Sequence, residues 1–454
     1  MAELQIPRIM ISAPGSGSGK TTIVCGLLKA LMNMGLKTAA FKSGPDYIDP
    51  MFHSKVIGAK SRNLDLFMLG EETTKYLAAK NSCDADIAVF EGAMGFYDGM
   101  GKTVEASAYK LSCTCDVPVI LVVNGKGAAL SLAAQIKGFK DFRPDSHIVG
   151  AIINNVNPMS YMFYKDVIER ETGVKLIGYF PVMTDCNFES RHLGLVTAEE
   201  IGDLQAIVDR LAVQAAKSID MEALLEIARK ACPLQYEEQN IGTIGKVRIA
   251  VAQDKAFCFY YQDALDLIYE LGAELVPFSP LNDKYLPENC QGIILGGGYP
   301  EIYAQQLADN HTMLESIREA VQQGMPCFAE CGGFMYLLER YCEGDKIYSW
   351  VGAVEGETSM TKKLNRFGYV HLTAQHDNML CHKDEMINGH EFHYSDSTNN
   401  GSSFLAEKAS GKGAWHCAHA GKTLYAGYPH IHLWGNPEFA RNFIKCCCKY
   451  KQEK

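Results

Sequence analysis

Apolar residues along the first half of the chain fall in short continuous runs, separated by longer segments in which they recur every three or four positions. Runs of the first kind, Ile9–Ser12, Thr38–Lys42, Ile87–Glu91, Pro118–Asn124, Ile148–Asn154 and Leu176–Phe180, read as strands buried on both faces. The segment after Lys20 places Ile23, Leu27, Leu28 and Leu31 on one face and stops near Gly35, which reads as an amphipathic helix. Helical spacing also extends from about Glu199 to Ala231. Alternation of this kind predicts a mainly parallel sheet covered by helices. The polar stretch Pro233–Gly245 reads as a linker. A second alternation follows, with strands at 246–252, Glu274–Phe278, Gly292–Leu295 and Pro326–Ala329 and a helix over Gln262–Leu271. Residues 350–430 are richer in Gly, His and aromatics and read as antiparallel or loop-rich. The expected division is therefore an α/β domain over 1–232, a linker over 233–245, a second α/β domain over 246–446 and a tail over 447–454.

Glycine-rich turns sit where strands meet helices. Gly15, Gly17, Gly19, Lys20, Thr21 and Thr22 join the first strand to the first helix. Such a loop aims backbone N–H groups at phosphate, with the lysine on the outer phosphates and the threonine hydroxyl on Mg²⁺. Pro14 stands where the P-loop pattern has its first glycine. Carboxylates follow neighbouring strands: Glu91 ends an apolar run, Asp46 and Asp49 flank Tyr47 after the second strand, and Asp98 lies in a further glycine-rich loop. Groups after parallel strands line one edge of the sheet, which is where such folds bind ligands.

In Phe328-Ala329-Glu330-Cys331-Gly332-Gly333 a thiol stands between an apolar strand and a helical start. A nucleophile on a tight strand-to-helix turn is pushed outward, and the helix N-terminus favours its thiolate form. Gly296-Gly297-Gly298 follows another strand and offers backbone N–H groups to an oxyanion. Gly427-Tyr428-Pro429-His430-Ile431-His432 supplies candidate bases for the thiol. In Gly389-His390-Glu391-Phe392-His393 the histidines stand three apart, not four, so a zinc-protease helix is excluded.

Composition narrows the setting. Hydrophobic residues make up 47% and charged residues 21% of 454, ordinary values for a globular chain, and the length suits two or three domains. A net charge of −10 argues against nucleic acid as the main partner. No apolar run reaches the roughly 20 residues that span a bilayer. Sixteen cysteines without an apparent secretory signal point to reduced thiols in the cytoplasm. The consecutive Cys446, Cys447 and Cys448 cannot all converge on one ion and read as incidental.

The chain resembles the cobyrinic acid a,c-diamide synthase family, the CobB/CbiA type of glutamine-dependent amidotransferase. The resemblance rests on Gly17–Thr22, FKSGPDYIDPMFH, SRNLDLFM, FEGAMGFYDG, ESRHLGLV, AFCFYYQDALDLI, VPFSPLND, LGGGYPEIYA, FAECGGFMYL and GHEFHYS, in family order over nearly all of residues 8–435. It implies a dethiobiotin-synthetase-like P-loop domain joined to a class I glutaminase domain. The implied reaction amidates the a and c acetate side chains of a corrinoid with glutamine and ATP, a step of cobalamin biosynthesis. Cys331 matches the family nucleophile and His430 its histidine. His432 stands where ordinary class I enzymes carry the triad glutamate. Gly297, Gly298 and Gly332 then stabilise the oxyanion, Thr21, Asp46 and Glu91 hold Mg²⁺, and Tyr47, Asp49 and Asp98 position substrate. The partners are small molecules: ATP, L-glutamine and a tetrapyrrole acid. Two other readings compete, the same chemistry on Ni-sirohydrochlorin and a P-loop ATPase whose glutaminase-like domain only binds partners.

Overall fold

The computed structural model describes residues 1–186 and 198–453. The ESRHLGLV stretch, at 189–196, lies outside them. The chain divides into two compact units, Met1–Gln239 and Asn240–Lys454.

The first unit is built on a seven-stranded, all-parallel sheet. Its spatial order is Lys60–Leu64, Thr38–Ser43, Ile87–Glu91, Arg8–Ser12, Val119–Asn124, Ile148–Asn154 and Lys175–Phe180. The middle strands are buried on both faces, as continuous apolar runs require. Helix Lys20–Asn33 buries Ile23, Leu27, Leu28 and Leu31, each worth roughly 1.5–3 kcal/mol of transfer free energy, and the turn at Gly35 (φ 85°) ends it. Strand Lys60–Leu64 was not foreseen, because its sequence KSRNL is polar. It lies on the sheet edge, where one side needs no apolar partner. Register sets Lys42 directly beside Glu91 at the C-terminal ends of adjacent strands.

Two boundary expectations need correction. Leu234–Tyr236, inside the expected linker, is a strand paired antiparallel with Ala2–Leu4, so the first unit runs to Gln239. The expected tail continues helix Pro437–Glu453, which buries Cys447 along with Phe439, Phe443 and Ile444. Its apolar spacing runs through the three cysteines.

The second unit holds a six-stranded sheet in the order Ala273–Phe278, Val247–Ala252, Gly292–Leu295, Cys327–Glu330, Leu424–Gly427 and His419–Ala420. All its pairs are parallel except the last. Residues 350–430 supply most of a five-stranded antiparallel sheet in the order Ala414–Cys417, Phe404–Lys408, Arg366–Ala374, Met386–His393 and His430–Ile431. Among the described residues no helix is long and apolar enough to cross a membrane, and no disulfide joins the sixteen cysteines.

Candidate active sites

In the first unit the glycine loop leads from strand Arg8–Ser12 into helix Lys20–Asn33. Gly17 and Gly19 have φ of 75° and 90°, backbone that favours glycine. A Cβ on Gly19 would lie 2.1 Å from Asn154 Nδ2, and that amide donates to Ser18 O at 2.9 Å. Gly15 lies beneath Lys20, whose Nζ donates to Gly15 O (3.1 Å) and Met94 O (2.6 Å). Burial, then repulsion from Lys42, lowers the Lys20 pKa, although Glu91, Asp49 and Asp98 act against this.

Thr21 Oγ1 donates to Glu91 Oε1 at 2.7 Å and reaches Asp49 Oδ2 at 3.5 Å, while Thr22 follows half-buried on the helix. Lys42 Nζ sits between the two carboxylates, 2.5 Å from Asp49 and 2.8 Å from Glu91. Burial opposes its charge, but the two carboxylates outweigh burial and raise its pKa. His53 Nε2 lies 3.6 Å from Glu91 Oε2. Burial holds the His53 pKa down at about 4, which keeps the ring neutral. Burial raises the Glu91 pKa, with Lys42 opposing and Asp49 adding to the shift.

The expected metal set is altered by this geometry. Thr21 and Glu91 come together, but Asp46 caps its own turn, accepting from Ile48 N (2.8 Å) and Asp49 N (3.3 Å). Burial, then the Asp49 charge, pushes its pKa up to about 6. The carboxylate beside Thr21 and Glu91 is Asp49, expected on the substrate side. The short i,i+3 turn explains the exchange: it points one acid inward and spends the other on backbone N–H groups. Tyr47 is buried at the start of helix Ile48–Phe52. Asp98 is exposed and accepts from Gly95 N at 3.1 Å. Lys42, His53 and Asn154 were missed by sequence reasoning. For Lys42 and Asn154 the signal was a polar residue at or next to the C-terminal end of an apolar strand.

Beyond Asn154, the loops after strands Val119–Asn124 and Ile148–Asn154 line a half-open pocket of about 290 Å³. Gly125–Ala128, Asn155, Tyr161 and Tyr164 are among its lining residues.

In the second unit Cys331 has φ 46° and ψ −105°, strained backbone for a non-glycine residue. Its N–H donates to Gly427 O (2.8 Å) and its carbonyl accepts from Met335 N (2.9 Å), fixing the elbow between strand and helix. His430 hydrogen-bonds the Cys331 side chain. Burial works against the imidazolium, but Cys331 and Glu330 together raise the His430 pKa to about 10. A Cβ on Gly297 would lie 2.6 Å from His430 Cε1, and one on Gly332 would lie 3.2 Å from Gly298 N. The thiol, the histidine and the three expected oxyanion glycines therefore share one small region.

His432 does not join them as expected. Its Nδ1 accepts from Trp434 N at 3.3 Å, its ring stacks on Tyr261 at 4.8 Å, and burial drives its pKa down to about 3. The carboxylate beside His430 belongs to Glu330, with Oε2 3.7 Å from Nδ1. The strand ends at Ile431, and His432 instead caps the turn Leu433–Gly435, which keeps its ring on Tyr261 and away from His430. Glu330 was missed although it precedes the elbow directly.

Residues 9–194 match the CobQ/CobB/MinD/ParA nucleotide binding domain, and residues 248–438 match the CobB/CobQ-like glutamine amidotransferase domain. A cobyrinate a,c-diamide synthase of Caldanaerobacter subterraneus subsp. tengcongensis is 40% identical over 446 residues, 97% of this chain and 98% of that one. One from Clostridium tetani is 40% identical over 441 residues, covering 96% and 99%. A third, from Priestia megaterium, is 38% identical over 454 residues, covering 98% of each. With this level of identity over nearly its whole length, and both domain types present in order, the chain belongs to the cobyrinate a,c-diamide synthase family.

Proposed function

We propose that this chain is a cytoplasmic ligase that amidates the a and c acetate carboxylates of cobyrinate, giving cobyrinate a,c-diamide, with glutamine as nitrogen donor and ATP as energy source. The observation that carries this reading is the meeting of Cys331, His430 and Gly297, Gly298 and Gly332 in a chain whose other unit carries the phosphate loop.

In the second unit the Cys331 sulfur attacks the glutamine side-chain amide. Backbone N–H groups among Gly297, Gly298 and Gly332 receive the oxyanion, and His430 gives its proton to departing ammonia. Water then cleaves the thioester to glutamate. In the first unit the glycine loop and Lys20 hold the ATP phosphates, and the 290 Å³ pocket past Asn154 takes the nucleoside end. A substrate carboxylate attacks the γ-phosphate and expels ADP, and ammonia displaces phosphate from the resulting acyl phosphate. Tyr47 and Asp98 are the residues we assign to positioning substrate.

Mg²⁺ fits the residues present. Glu91 Oε2 is buried without a hydrogen-bond partner among the described residues, and Thr21 Oγ1 and Asp49 add further oxygen donors. Among the described residues no three His, Cys, Asp or Glu side chains gather to cage an ion. Such a set suits a cation that keeps water and phosphate in its shell. Thr21, Glu91 and Asp49 would hold it, and Mg²⁺ supplies charge neutralisation of the phosphates there.

The test is Cys331→Ala. It should abolish glutamine-dependent amidation while amidation from ammonium salts continues, with mass spectrometry counting the amide groups added to cobyrinate. Loss of both activities would sink this division of labour. Two amidations on Ni-sirohydrochlorin, with none on cobyrinate, would reassign the substrate.

A further inference from the structure

Glu330 is a buried acid that the mechanism above does not use. It is the last residue of strand Cys327–Glu330, paired in register with Gly427. Its Oε1 accepts from Ile431 N at 2.9 Å, which fixes the carboxylate against the residue following His430. Its Oε2 lies 3.7 Å from His430 Nδ1. It also borders a small cavity of about 30 Å³ whose other lining, including Ile294, Phe328, Ile431 and Leu433, is largely apolar. A charge in such surroundings acts on its neighbour through a low effective dielectric.

The geometry points to Glu330 as the positioning residue for His430: it holds the imidazole with one ring nitrogen toward Cys331 and stabilises the imidazolium, the role a triad carboxylate plays from another chain position. A carboxylate one residue before the nucleophile replaces one two residues after the histidine. Two backbone bonds tie this corner together: Cys331 N donates to Gly427 O at the end of the adjacent strand, and Ile431 N, from strand His430–Ile431 of the antiparallel sheet, donates to Glu330 Oε1. His432, in the usual triad-acid position, is occupied by its own turn.

Other titratable groups face this pair. Burial pushes Tyr260 and Tyr425 upward, so both stay neutral. Burial, then the neighbouring His430 charge, pushes His390, stacked on His430 at 5.1 Å, well down. Tyr261 donates toward or accepts from His390 Nε2 at 2.7 Å. Glu330 and Cys331 are thus the groups placed to charge His430.

This inference rests on the glutaminase reading, and the experiment separates the two. Glu330→Gln keeps an acceptor for Ile431 N and removes only the charge. Glutamine hydrolysis by the full chain is measured across pH, with glutamate release as readout. The expected result is a fall in kcat of roughly 10²-fold with KM changed less than threefold, scaled down from the ~10⁴-fold cost of neutralising a triad carboxylate because this contact is longer. The alkaline limb of the profile, set by the His430 proton, moves to lower pH by about a unit or more. Glu330→Asp keeps the charge one methylene farther away and falls between. A merely structural role leaves the limb in place. Wild-type kcat and limb in Glu330→Gln, or a limb that moves in His432→Gln instead, overturns the assignment. Failure of the wild-type chain to release glutamate would overturn the glutaminase reading itself.

Discussion

Gly19→Ala tests whether the phosphate loop is held in its binding shape by the strand beside it. Gly19 lies at φ 90° and ψ 17°, and moving a non-glycine residue there costs about 1–2 kcal/mol. The added methyl would also fall 2.1 Å from Asn154 Nδ2, far inside contact distance. Asn154 is buried and donates to Ser18 O, so it can withdraw only by breaking that bond, at about 1 kcal/mol. The sum, about 2–3 kcal/mol, is taken from the loop shape that presents N–H groups to phosphate, so ATP binding weakens by roughly 30- to 150-fold. Calorimetric titration with Mg²⁺ and a non-hydrolysable ATP analogue measures this directly. Asn154→Ala alone loses only the hydrogen bond, about 1 kcal/mol or roughly fivefold. Adding it to Gly19→Ala removes the overlap and restores part of the loss. A Gly19→Ala affinity within threefold of wild type would refute the argument that loop geometry, and not Lys20 alone, binds the phosphates.

Two further outcomes follow from buried charge. Lys42→Met leaves Asp49 and Glu91 facing each other without a cation, so urea denaturation at pH 7 should show a loss of about 3–5 kcal/mol, shrinking at pH 5 as one of the pair takes a proton. His432 is held neutral at about pKa 3 by burial, against about 6.5 when unfolded, so its contribution is present above pH 6.5 and lost as pH falls toward 3. In His432→Gln the drop in stability between pH 7 and pH 5 should be smaller by about 2 kcal/mol, and an unchanged drop would mean the ring is not held neutral.

Most of the architecture was legible because its strands are buried on both faces. Ile87–Glu91, Ile148–Asn154 and Gly292–Leu295 carry continuous apolar runs that no surface element would tolerate, and their limits match the folded strands. Lys60–Leu64 and Leu234–Tyr236 carry no such signal, since edge positions accept polar side chains and tertiary pairing decides them. Site geometry was legible wherever it resided in backbone: the glycine loop and the elbow at Cys331 announce their conformations through composition. What sequence could not supply was direction. Asp46 and Asp49 differ in surroundings because one turn sends the first to its own N–H groups and the second toward Thr21.

The same limit applies to the two acids that matter most, and here register resolves it. Glu91 and Glu330 each close a buried parallel strand, the one position where an acid can lie at a core strand and still reach the ligand edge of the sheet. Each lies beside a side chain able to carry positive charge, a cation that offsets the cost of burying a carboxylate. For Glu91 that cation is its register partner Lys42 on the neighbouring strand. For Glu330 it is His430, three residues beyond the register partner Gly427. In each unit, then, the acid ending an apolar strand faces a base at or just past the end of the adjacent strand. Lysine supplies a fixed charge suited to holding phosphate-site carboxylates in place. Histidine supplies a proton that can leave and return, which suits thiol chemistry. The identity of the partner base separates an electrostatic site from a proton-transfer site, once the strand order is known.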